Sequence, residues 1–304
     1  MMLLVITSCK NTNDDIKTTK ICDFTFKNKL GTWFWDKDLD IDYYLEFAEY
    51  NNVNEIYFCD YSISNKTKEL LEKAYNYDID IYLLLGEKEW ILDREGLDII
   101  INRYIEFQNN NTYKLKGIHL DIEPHQFNDF SSNRYDYLYK LVDLVYTNKK
   151  LYNDIYFSYD IPFWLDDIIE YDNKNMECYK YIIDSASSVF IMSYRDTASS
   201  MYDVSKEEII YAKENNKILY LAAETYSTEG DNVSYYEEGN NYMINELESL
   251  KKMLPLSFGI AIHNIKSWAN LKDWLNQSLF KFYIYFLAIC FALSISFWFG
   301  FPLA

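Results

Sequence analysis

Short apolar runs alternate with longer amphipathic segments along most of this chain, and eight such pairs can be counted. The apolar runs have the length of strands, whereas segments such as Asp40–Tyr50 and Ser205–Asn216 space their apolar residues at the helical period. Eight strand and helix units in about 250 residues are typical of an α/β chain that closes into a (β/α)₈ TIM barrel. The predicted strands are Gly31–Trp35, Val53–Asp60, Asp78–Gly86, Gly117–Glu123, Asp154–Pro162, Ser188–Arg195, Ile218–Tyr226 and Phe258–His263.

An open, doubly wound sheet is the alternative fold for this alternation. Such a sheet normally has a glycine-rich phosphate-binding turn after its first strand. The corresponding segment here, Gly31–Asp38, reads GTWFWDKD and has tryptophans instead of glycines. The sequence also contains no Walker motif, no Gly-x-Ser-x-Gly elbow and no zinc-protease motif. The pattern therefore favours the barrel and predicts no cofactor.

The composition narrows the class of partner. With 29 Lys and Arg against 47 Asp and Glu, the formal net charge is -18, so nucleic acid and anionic lipid surfaces would repel the chain. A neutral ligand such as a glycan is compatible with this charge. Hydrophobic residues make up 49% of the 304 residues, which is enough for a large core. The five cysteines are widely spaced and odd in number, which argues against a disulfide framework.

The two ends of the chain suggest attachment to a membrane. Phe282–Ala304 is uncharged throughout, and about 20 uncharged residues are enough to cross a bilayer. Leu4–Cys9, LVITSC, is similar to a bacterial lipoprotein signal, but only eight residues precede Cys9 and none is basic, so the start is either truncated or matched by chance. We expect a membrane-anchored protein at the cell surface. The predicted parts are a signal or lipoprotein-like segment at 1–22, the barrel at 23–277 and a C-terminal transmembrane helix at 278–304.

One predicted strand carries ionisable side chains on a single face. In Gly117–Gln126, GIHLDIEPHQ, side chains alternate between faces, so three apolar residues point one way while His119, Asp121 and Glu123 point the other. The inward face of a barrel strand is buried, but its carboxyl end opens into the mouth where barrel enzymes hold their active sites. We therefore expect His119 to lie deep, Asp121 nearer the top and Glu123 at the rim.

Ionisable or aromatic residues recur at the ends of the other predicted strands. They are Trp35, Asp36, Asp60, Glu87, Asp160, Arg195, Glu224 and His263. Because the carboxyl ends of barrel strands face one cavity, we expect many of these residues to converge. The positions expected to open into that cavity are Gly117, His119, Asp121, Glu123, Asp160, Glu224 and His263.

Asp121 and Glu123 suit the hydrolysis of a glycosidic bond. That reaction needs a proton donor for the leaving oxygen and a second group that stabilises the positive charge developing on the sugar ring. Repulsion between two close carboxyl groups raises one pKa, so that one group keeps its proton near neutral pH. Glu123 is the candidate general acid. The competing interpretation is a pair of core carboxylates in salt bridges with Lys116 or Arg195.

The segment Lys116–Pro124, KGIHLDIEP, resembles the fourth-strand signature of the family 18 glycoside hydrolases, Asp-x-x-Asp-x-Asp-x-Glu. Asp121 and Glu123 match its last two acidic positions, whereas Lys116 and His119 stand at the first two. The resemblance implies a barrel that acts on N-acetylated sugars with assistance from the substrate. It also implies that Glu123 is the proton donor and Asp121 the orienting residue.

Two further segments are similar to the same family. Ile191–Asp196, IMSYRD, contains the Met-x-Tyr of the family's sixth strand, which implies that Met192 and Tyr194 hold the acetamido group of the substrate. Trp268, at the end of GIAIHNIKSW, looks like the tryptophan that stacks on a sugar ring in that family.

A second resemblance is to the large glycosidase clan that has an acid Glu at the end of strand four and a nucleophilic Glu at the end of strand seven. Glu123 in IEP and Glu224 in AAETY stand in those two places, although Ile122 replaces the Asn that usually precedes the first Glu. This resemblance implies that Glu224 is the nucleophile of a retaining enzyme. The chain also looks like uncharacterised bacterial barrel proteins with the sequence LDIEPH.

Aromatic and histidine side chains complete the predicted site. Trp33, Trp35, Trp164 and Trp268 either form a platform for a sugar or belong to the core. The three histidines fall on or just after strands four and eight, where they are either satisfied core residues or, with the acidic residues, a metal site. The predicted ligand-binding residues are Trp33, Trp35, Asp60, His119, His125, Asp160, Tyr194, Arg195, His263 and Trp268.

The sequence therefore predicts a barrel that binds and hydrolyses a glycan, with Glu123, Asp121 and Glu224 as catalytic residues. Two alternatives stay open. One is a carbohydrate-binding barrel that does not cleave its ligand, and the other is a metal-dependent hydrolase.

Overall fold

The computed structural model describes residues 29–228, 230 and 232–272, whose central feature is a closed barrel of parallel strands. Eight strands pair in the order β1-β10-β9-β8-β5-β4-β3-β2, while β6 and β7 form an antiparallel hairpin outside the barrel. The predicted (β/α)₈ barrel and its eight strands are confirmed. In these residues the strands are β1 (Leu30–Phe34), β2 (Glu55–Cys59), β3 (Asp80–Leu85), β4 (Ile118–Leu120), β5 (Phe157–Pro162), β6 (Ile168–Tyr171), β7 (Lys174–Glu177), β8 (Ser188–Met192), β9 (Ile218–Glu224) and β10 (Gly259–His263).

Helices follow most of the barrel strands and form the outer layer. Their starts carry the expected caps: the Asp40 carboxylate accepts hydrogen bonds from two backbone N–H groups of the first turn of α1, and Asn264 and Ser267 form a capping box at α9. The helices of the described residues are α1 (Ile41–Tyr50), α2 (Asn65–Ala74), α3 (Glu95–Asn110), α4 (Phe130–Leu151), α5 (Cys178–Ser185), α6 (Ala198–Val204), α7 (Lys206–Glu214), α8 (Asn240–Met253) and α9 (Ile265–Ala269).

The alternation of side chains along each strand separates two cores. In β2, Ile56 and Phe58 belong to the core between strands and helices, whereas Tyr57 points into the barrel. The barrel interior is packed with large rings, so it is a core and not a channel. The members of this inner core are Trp33, Tyr57, Tyr82, Leu84, Phe190, Tyr220, Ala222 and Ala261.

Glu55 fills the amino-terminal end of the barrel. Its carboxylate accepts hydrogen bonds from the hydroxyls of Tyr57 and Tyr220, each at 2.7 Å, and pairs with Lys29 at 2.5 Å. The Tyr220 ring lies so close to Gly259 that an added Cβ would be 2.3 Å from it, which explains the glycine there. The polar groups at this end thus satisfy one another inside the molecule.

The hairpin β6–β7 is absent from the elements predicted from the sequence. Its turn residues, Asp172 and Asn173, have φ angles of 51° and 59°, as a two-residue type I′ turn requires. The Tyr171 ring lies 5.4 Å from the rings of Tyr139 and Tyr146 on α4, so the hairpin covers part of that helix. β6 (IIEY) has only two aliphatic residues and β7 (KNME) is mostly polar, so neither has the longer apolar run that identifies a barrel strand.

The predicted attachment to a membrane falls outside the described residues. Within 29–228, 230 and 232–272, no helix is both long and apolar enough to cross a bilayer. The predicted anchor at 278–304 and the signal-like segment at 1–22, which includes Cys9, lie beyond these ranges. These assignments and the domain boundaries stay predictions.

Glu208 on α7 is a buried carboxyl group in the helical layer. Its side chain is 1% exposed, and its Oε1 has no hydrogen-bond partner. Burial raises the pKa of Glu208 from 4.5 to about 8, and the nearby charges of Asp166 and Glu207 act in the same direction. Between about pH 4.5 and pH 8, Glu208 therefore takes up a proton when the protein folds. Its contribution to stability is fully present below about pH 4.5 and is lost as the pH rises through 8.

We expect Glu208→Gln to stabilise the protein at neutral and alkaline pH, because the amide never has to bind a proton to be buried. The gain in free energy of unfolding should be small near pH 4.5 and rise to the order of 3 kcal/mol at pH 8. Denaturant unfolding at both pH values measures it. The matched control is Glu214→Gln at an exposed position of the same helix, which is not among the charges that act on Glu208. A gain that does not change with pH would contradict this account of Glu208.

Candidate active site

The carboxyl ends of four barrel strands bring acidic and histidine side chains together. Asp121 follows β4 directly, Asp160 lies in β5, Glu224 ends β9 and His263 ends β10. They are close enough to influence one another: after burial, the charges of Asp160 and Glu123 raise the pKa of Asp121 most. The structure thus places these five residues, all predicted from the sequence, at the same mouth.

His119 lies at the base of this group in a buried layer of hydrogen bonds. Its Nδ1 is 2.7 Å from Ser158 Oγ, and its Nε2 is 2.7 Å from Asp160 Oδ2. The indole N–H of Trp33 reaches the same place, 3.2 Å from His119 Nε2 and 3.1 Å from Asp160 Oδ2. Four side chains from β1, β4 and β5 are therefore tied together beneath the mouth.

This layer carries no net charge as long as Asp160 keeps its proton, and it becomes negative once Asp160 ionises. Burial lowers the pKa of His119 to about 3, although Glu55 acts in the opposite direction, and burial raises the pKa of Asp160 well above its ordinary value. The Trp33 N–H is shared between His119 Nε2 and Asp160 Oδ2. With His119 neutral and Asp160 protonated, as these pKa shifts favour, the Asp160 proton lies between Oδ2 and Nε2, and Nδ1–H donates to Ser158. A neutral histidine and a protonated aspartate account for all of these contacts.

Asp121 and Asp160 form a pair of coupled carboxyl groups. Burial and the Asp160 charge raise the pKa of Asp121 well above its ordinary value, so Asp121 is protonated over the range in which most carboxyl groups are ionised. Oδ1 of each residue is buried and has no hydrogen-bond partner among the described residues. Buried polar atoms without partners are rare in folded proteins, so these two oxygens are suited to a bound ligand or water.

Glu224 is held on both of its oxygens. Oε1 accepts hydrogen bonds from the backbone N–H groups of Thr225 at 2.8 Å and Tyr226 at 2.7 Å. Oε2 lies 2.9 Å from His263 Nδ1, and His263 Nε2 accepts a hydrogen bond from the Trp35 indole at 3.0 Å. Desolvation lowers the pKa of His263, but the hydrogen bond and charge of Glu224 outweigh it and raise the pKa overall.

Glu123 occupies the rim, as expected from its place in the sequence. It is half-buried, one of its oxygens accepts a hydrogen bond from Gln126, and the other lies 3.6 Å from His125 Nε2. Both partners belong to the short turn that follows β4, and the His125 ring contacts Trp164 edge-on at 5.4 Å. The carboxyl group of Glu123 is thus held only by side chains of its own turn.

Tyr194 lies among the carboxyl groups. Burial raises the pKa of its hydroxyl, and so do the charges of Glu224, Asp160, Asp121 and Glu123. Tyr194 therefore lies within reach of the carboxyl groups contributed by β4, β5 and β9.

A cavity of about 400 Å³ adjoins the ends of β1 and β2. Half-buried Trp35 forms part of its wall, together with Asp36, Asp38 and Cys59. Burial raises the pKa of the Cys59 thiol to about 11, so the thiol is protonated at neutral pH. The cavity is the size of a small-ligand pocket and presents an indole and carboxyl groups to it.

Several predicted ligand-binding residues have other places in the structure. Trp33 is 1% exposed and acts as a hydrogen-bond donor inside the barrel. Trp268 lies in the helical layer against Phe47, where its indole donates to Asn240. Trp268 belongs to α9 and is 2% exposed, so it offers no surface for stacking.

Asp60 and Gly117 also have roles other than those predicted, since Asp60 was expected to bind the ligand and Gly117 to open into the mouth. The Asp60 carboxylate accepts hydrogen bonds from Ser62, Ser64 and Thr67, so it anchors the start of α2 although it borders the cavity beside Trp35. Gly117 lies at the start of β4, where an added Cβ would be 2.4 Å from the Tyr156 carbonyl oxygen. Like the fully buried His119, it lies below the mouth and does not open into it.

Arg195 packs at the side of the mouth. Its guanidinium lies 4.9 Å above the Phe163 ring, and its Nη1 donates to the Tyr194 carbonyl at 2.7 Å.

Ser158 was missed by the sequence reasoning, although its place two residues before Asp160 puts it on the same strand face. In the described residues, no group of three or more His, Cys, Asp or Glu side chains is arranged to hold a metal ion.

The fold was also compared with known proteins. No protein-family model and no curated protein sequence matches this chain. A family 18 chitinase from Cycas revoluta, in complex with (GlcNAc)3, is similar with a TM-score of 0.50 and 8% identity over 79% of this chain and 95% of the chitinase. The spore cortex-lytic enzyme SleL of Bacillus megaterium has a TM-score of 0.49 and 13% identity over 81% of this chain and 73% of its own. A Rhizomucor miehei β-1,3-glucanosyltransferase mutant with laminaritriose has a TM-score of 0.49 and 12% identity over 78% and 86%.

At these identities, likeness is evidence of fold alone, and the two weaker similarities carry no argument about function. The predicted resemblance to family 18 is confirmed at the level of the barrel. This chain has the (β/α)₈ barrel fold that a family 18 glycoside hydrolase also has.

Proposed function

We propose that the mouth of the barrel binds a glycan and hydrolyses a glycosidic bond, with Glu123 as the general acid. The observation that carries the proposal is the cluster around Tyr194, whose hydroxyl is influenced by the carboxyl groups of Asp121, Glu123, Asp160 and Glu224. Glycoside hydrolysis uses carboxyl groups in two protonation states at one site, one to donate a proton and one to stabilise positive charge. The chitinase similarity concerns the barrel fold, and the assignment of the reaction rests on the site.

Glu123 suits the acid role better than its neighbours because it is accessible. Asp160 is buried in the hydrogen-bonded layer beneath the mouth, and both oxygens of Glu224 are engaged. Glu123 is half-buried at the rim and contacts only Gln126 and His125 of its own turn. A leaving-group oxygen can therefore approach Glu123 without displacing a core contact. Glu123 gives this oxygen its proton, and the attacking water later returns a proton to Glu123.

Asp121 is suited to orient the substrate. It keeps its proton because of burial and the charge of Asp160, and its Oδ1 lacks a partner. A protonated carboxyl group can donate to one atom and accept from another, as an acetamido group in the sugar requires. Tyr194, which follows β8, lies among the same carboxyl groups as a further polar contact. This arrangement favours assistance from an N-acetylated substrate.

The engaged oxygens of Glu224 argue against the nucleophile of a retaining enzyme. A nucleophilic carboxylate oxygen must be free to attack the sugar, whereas Oε1 accepts two backbone N–H groups and Oε2 accepts His263. We assign to Glu224 the role of positioning His263, and its carboxyl group is one source of negative charge at the mouth.

Glu123→Gln should lower the turnover of a cleaved glycan about 10² to 10⁴-fold, because the amide cannot donate the proton, while the affinity for the glycan changes little. Oligosaccharides of N-acetylglucosamine and of β-1,3-linked glucose are the substrates to test first, with ligand binding measured by calorimetry. Glu89→Gln, an exposed position on the turn after β3, is the control and should keep full activity.

An undiminished rate in Glu123→Gln would exclude Glu123 as the acid. If the unmodified chain binds glycans but never cleaves them, the carbohydrate-binding alternative is correct.

Asp121→Asn should reduce turnover more than Glu224→Gln. The first change replaces a carboxyl group by an amide that cannot release its proton and become negative beside the charge developing on the substrate, whereas the second mainly weakens the support of His263. Rates with an N-acetylated substrate measure both. An equal and severe loss in Glu224→Gln, together with a trapped glycosyl-enzyme in wild type, would instead identify Glu224 as the nucleophile.

Asp160→Asn should lower the pKa of Asp121, because Asp160 is, after burial, its largest cause of elevation. The sign follows from repulsion: a neutral neighbour no longer opposes ionisation of Asp121. Asp121 then loses its proton at a lower pH, and the alkaline limb of the kcat/KM profile moves down with it. A ¹³C NMR titration of the Asp121 carboxyl group checks this without activity. Ser158→Ala, which leaves both carboxyl groups in place, is the control, and an unchanged titration in Asp160→Asn would contradict the coupling.

A further inference from the structure

A second cavity, of about 490 Å³, lies at the amino-terminal end of the barrel, opposite the mouth. Its walls come from the connection between α2 and β3 and from the connection between α3 and β4. Its apolar base includes Ile79 and Ile81, which are buried. This volume is within the range of small-ligand sites. Neither Glu55 nor any residue assigned above to the mouth lines it.

Two tyrosines form an aromatic wall of this cavity. The rings of Tyr75 and Tyr113 are 5.2 Å apart and inclined at 52°. Tyr75 is 71% exposed, the highest exposure of any tyrosine recorded among the exposed hydrophobic residues of the described chain. Water therefore covers a ring pair that faces a cavity, whereas most other tyrosine rings of the protein are packed. The apolar face of a sugar ring stacks on such a surface.

The charges at the cavity decide which kind of ligand fits. Asp78 and Asp80 offset Lys114 and Lys116, so the lining has no net formal charge. Both lysines are already engaged: Lys116 pairs with Asp80 at 2.9 Å, and Lys114 donates to the Gln108 carbonyl. Because both lysines already have partners, an anionic ligand would gain no unpaired positive charge here. A cationic ligand would be repelled by the two lysines. A neutral ligand with many hydroxyl groups suits this mixture of donors and acceptors.

Asp78 adds an acceptor at the edge of the cavity. Its backbone is in the left-handed region, with a φ of 55°, and its side chain is exposed beside the ring of Tyr75. Exposed carboxylates next to aromatic rings supply the hydrogen bonds that fix the hydroxyls of a stacked sugar.

We propose that this cavity, which we call the lower site and define by Tyr75, Asp78, Asp80, Thr112, Tyr113 and Lys116, is a second carbohydrate-binding site that takes a neutral mono- or disaccharide unit. Of its two carboxyl groups, Asp78 is exposed and Asp80 is paired with Lys116, so the site is suited to binding and not to cleavage. The lower site needs no catalysis at the mouth, and its test is separate from that of the proposed function. It would hold a second part of a long glycan, or a second chain, on the opposite face of the barrel.

Hydrogen–deuterium exchange of the full chain, with and without millimolar chitotriose or laminaritriose, tests the lower site. We expect protection in residues 75–80 and 111–116, separate from any protection at the mouth. The variant Tyr75→Ala/Tyr113→Ala should remove the lower protection and weaken binding at that site about tenfold, since each ring contributes a stacking contact. The folded state of the variant is checked by its unchanged exchange in β8, β9 and β10.

Tyr43→Ala is the matched control. Tyr43 is 51% exposed and also contacts a second ring, that of Tyr44 at 4.9 Å, but it does not line the lower site. This variant should keep the lower protection. Protection by either sugar that is lost in the double variant and kept in the control supports the lower site, even if neither sugar is cleaved.

Two results would overturn the proposal. One is the absence of protection in 75–80 and 111–116 with both sugars at millimolar concentration. The other is protection of the same residues by inorganic phosphate and by neither sugar, which would make the cavity an anion site.

Discussion

The closure of eight parallel strands into one barrel is the constraint on which the candidate site depends. Closure forces inward side chains from strands far apart in sequence to share one axis, and it leaves only two ends where polar groups can meet. At one end, Glu55 and its tyrosine partners satisfy one another. At the other end, β4 stops at Leu120, so Asp121 and Glu123 lie beyond the strand and enter the mouth, while Asp160 and Glu224 reach it from within β5 and β9.

A neutral, hydrogen-bonded layer separates the packed rings from this mouth. His119 stands where the family 18 signature has an acidic residue, and it is held neutral by burial. Asp160 on the neighbouring strand supplies a carboxyl group to the same layer. A buried charge without a partner would be costly, whereas a protonated carboxyl next to a neutral imidazole is satisfied. The layer therefore permits a carboxyl group at Asp121 directly above it.

Periodicity in the sequence was sufficient for the barrel, because each strand and helix repeats a pattern tied to burial. It was also sufficient for the convergence of Asp121, Glu123, Asp160, Glu224 and His263, since position at a strand end determines which mouth a residue reaches. Whether each tryptophan is buried or faces the mouth could not be predicted in the same way. Trp33 and Trp268 are both near strand ends, yet one is enclosed by neighbouring rings and the other is covered by Phe47 and α8.

Side-chain pairing was likewise beyond the reach of a single sequence. The five hydrogen bonds to Asp60 depend on a loop whose N–H groups and hydroxyls fold back onto the carboxylate. The two hydrogen bonds to Glu224 Oε1 come from the backbone N–H groups of the next two residues, so they depend on the local course of the chain. The β6–β7 hairpin lacked an apolar run, so its Asp-Asn turn was the only local signal of it. Local polar geometry therefore determines which strand-end carboxyl groups stay available.

The hydrogen bond between Trp35 and His263 links the binding of a proton by His263 to the binding of a ligand beside Trp35. The indole N–H occupies His263 Nε2, while the same indole forms a wall of the 400 Å³ cavity. A proton added to Nε2 would place two donors face to face and turn the indole away. A ligand that holds Trp35 in its present orientation therefore opposes protonation of His263, and protonation of His263 weakens that ligand by the same factor. Proton and ligand are thermodynamically linked at this wall.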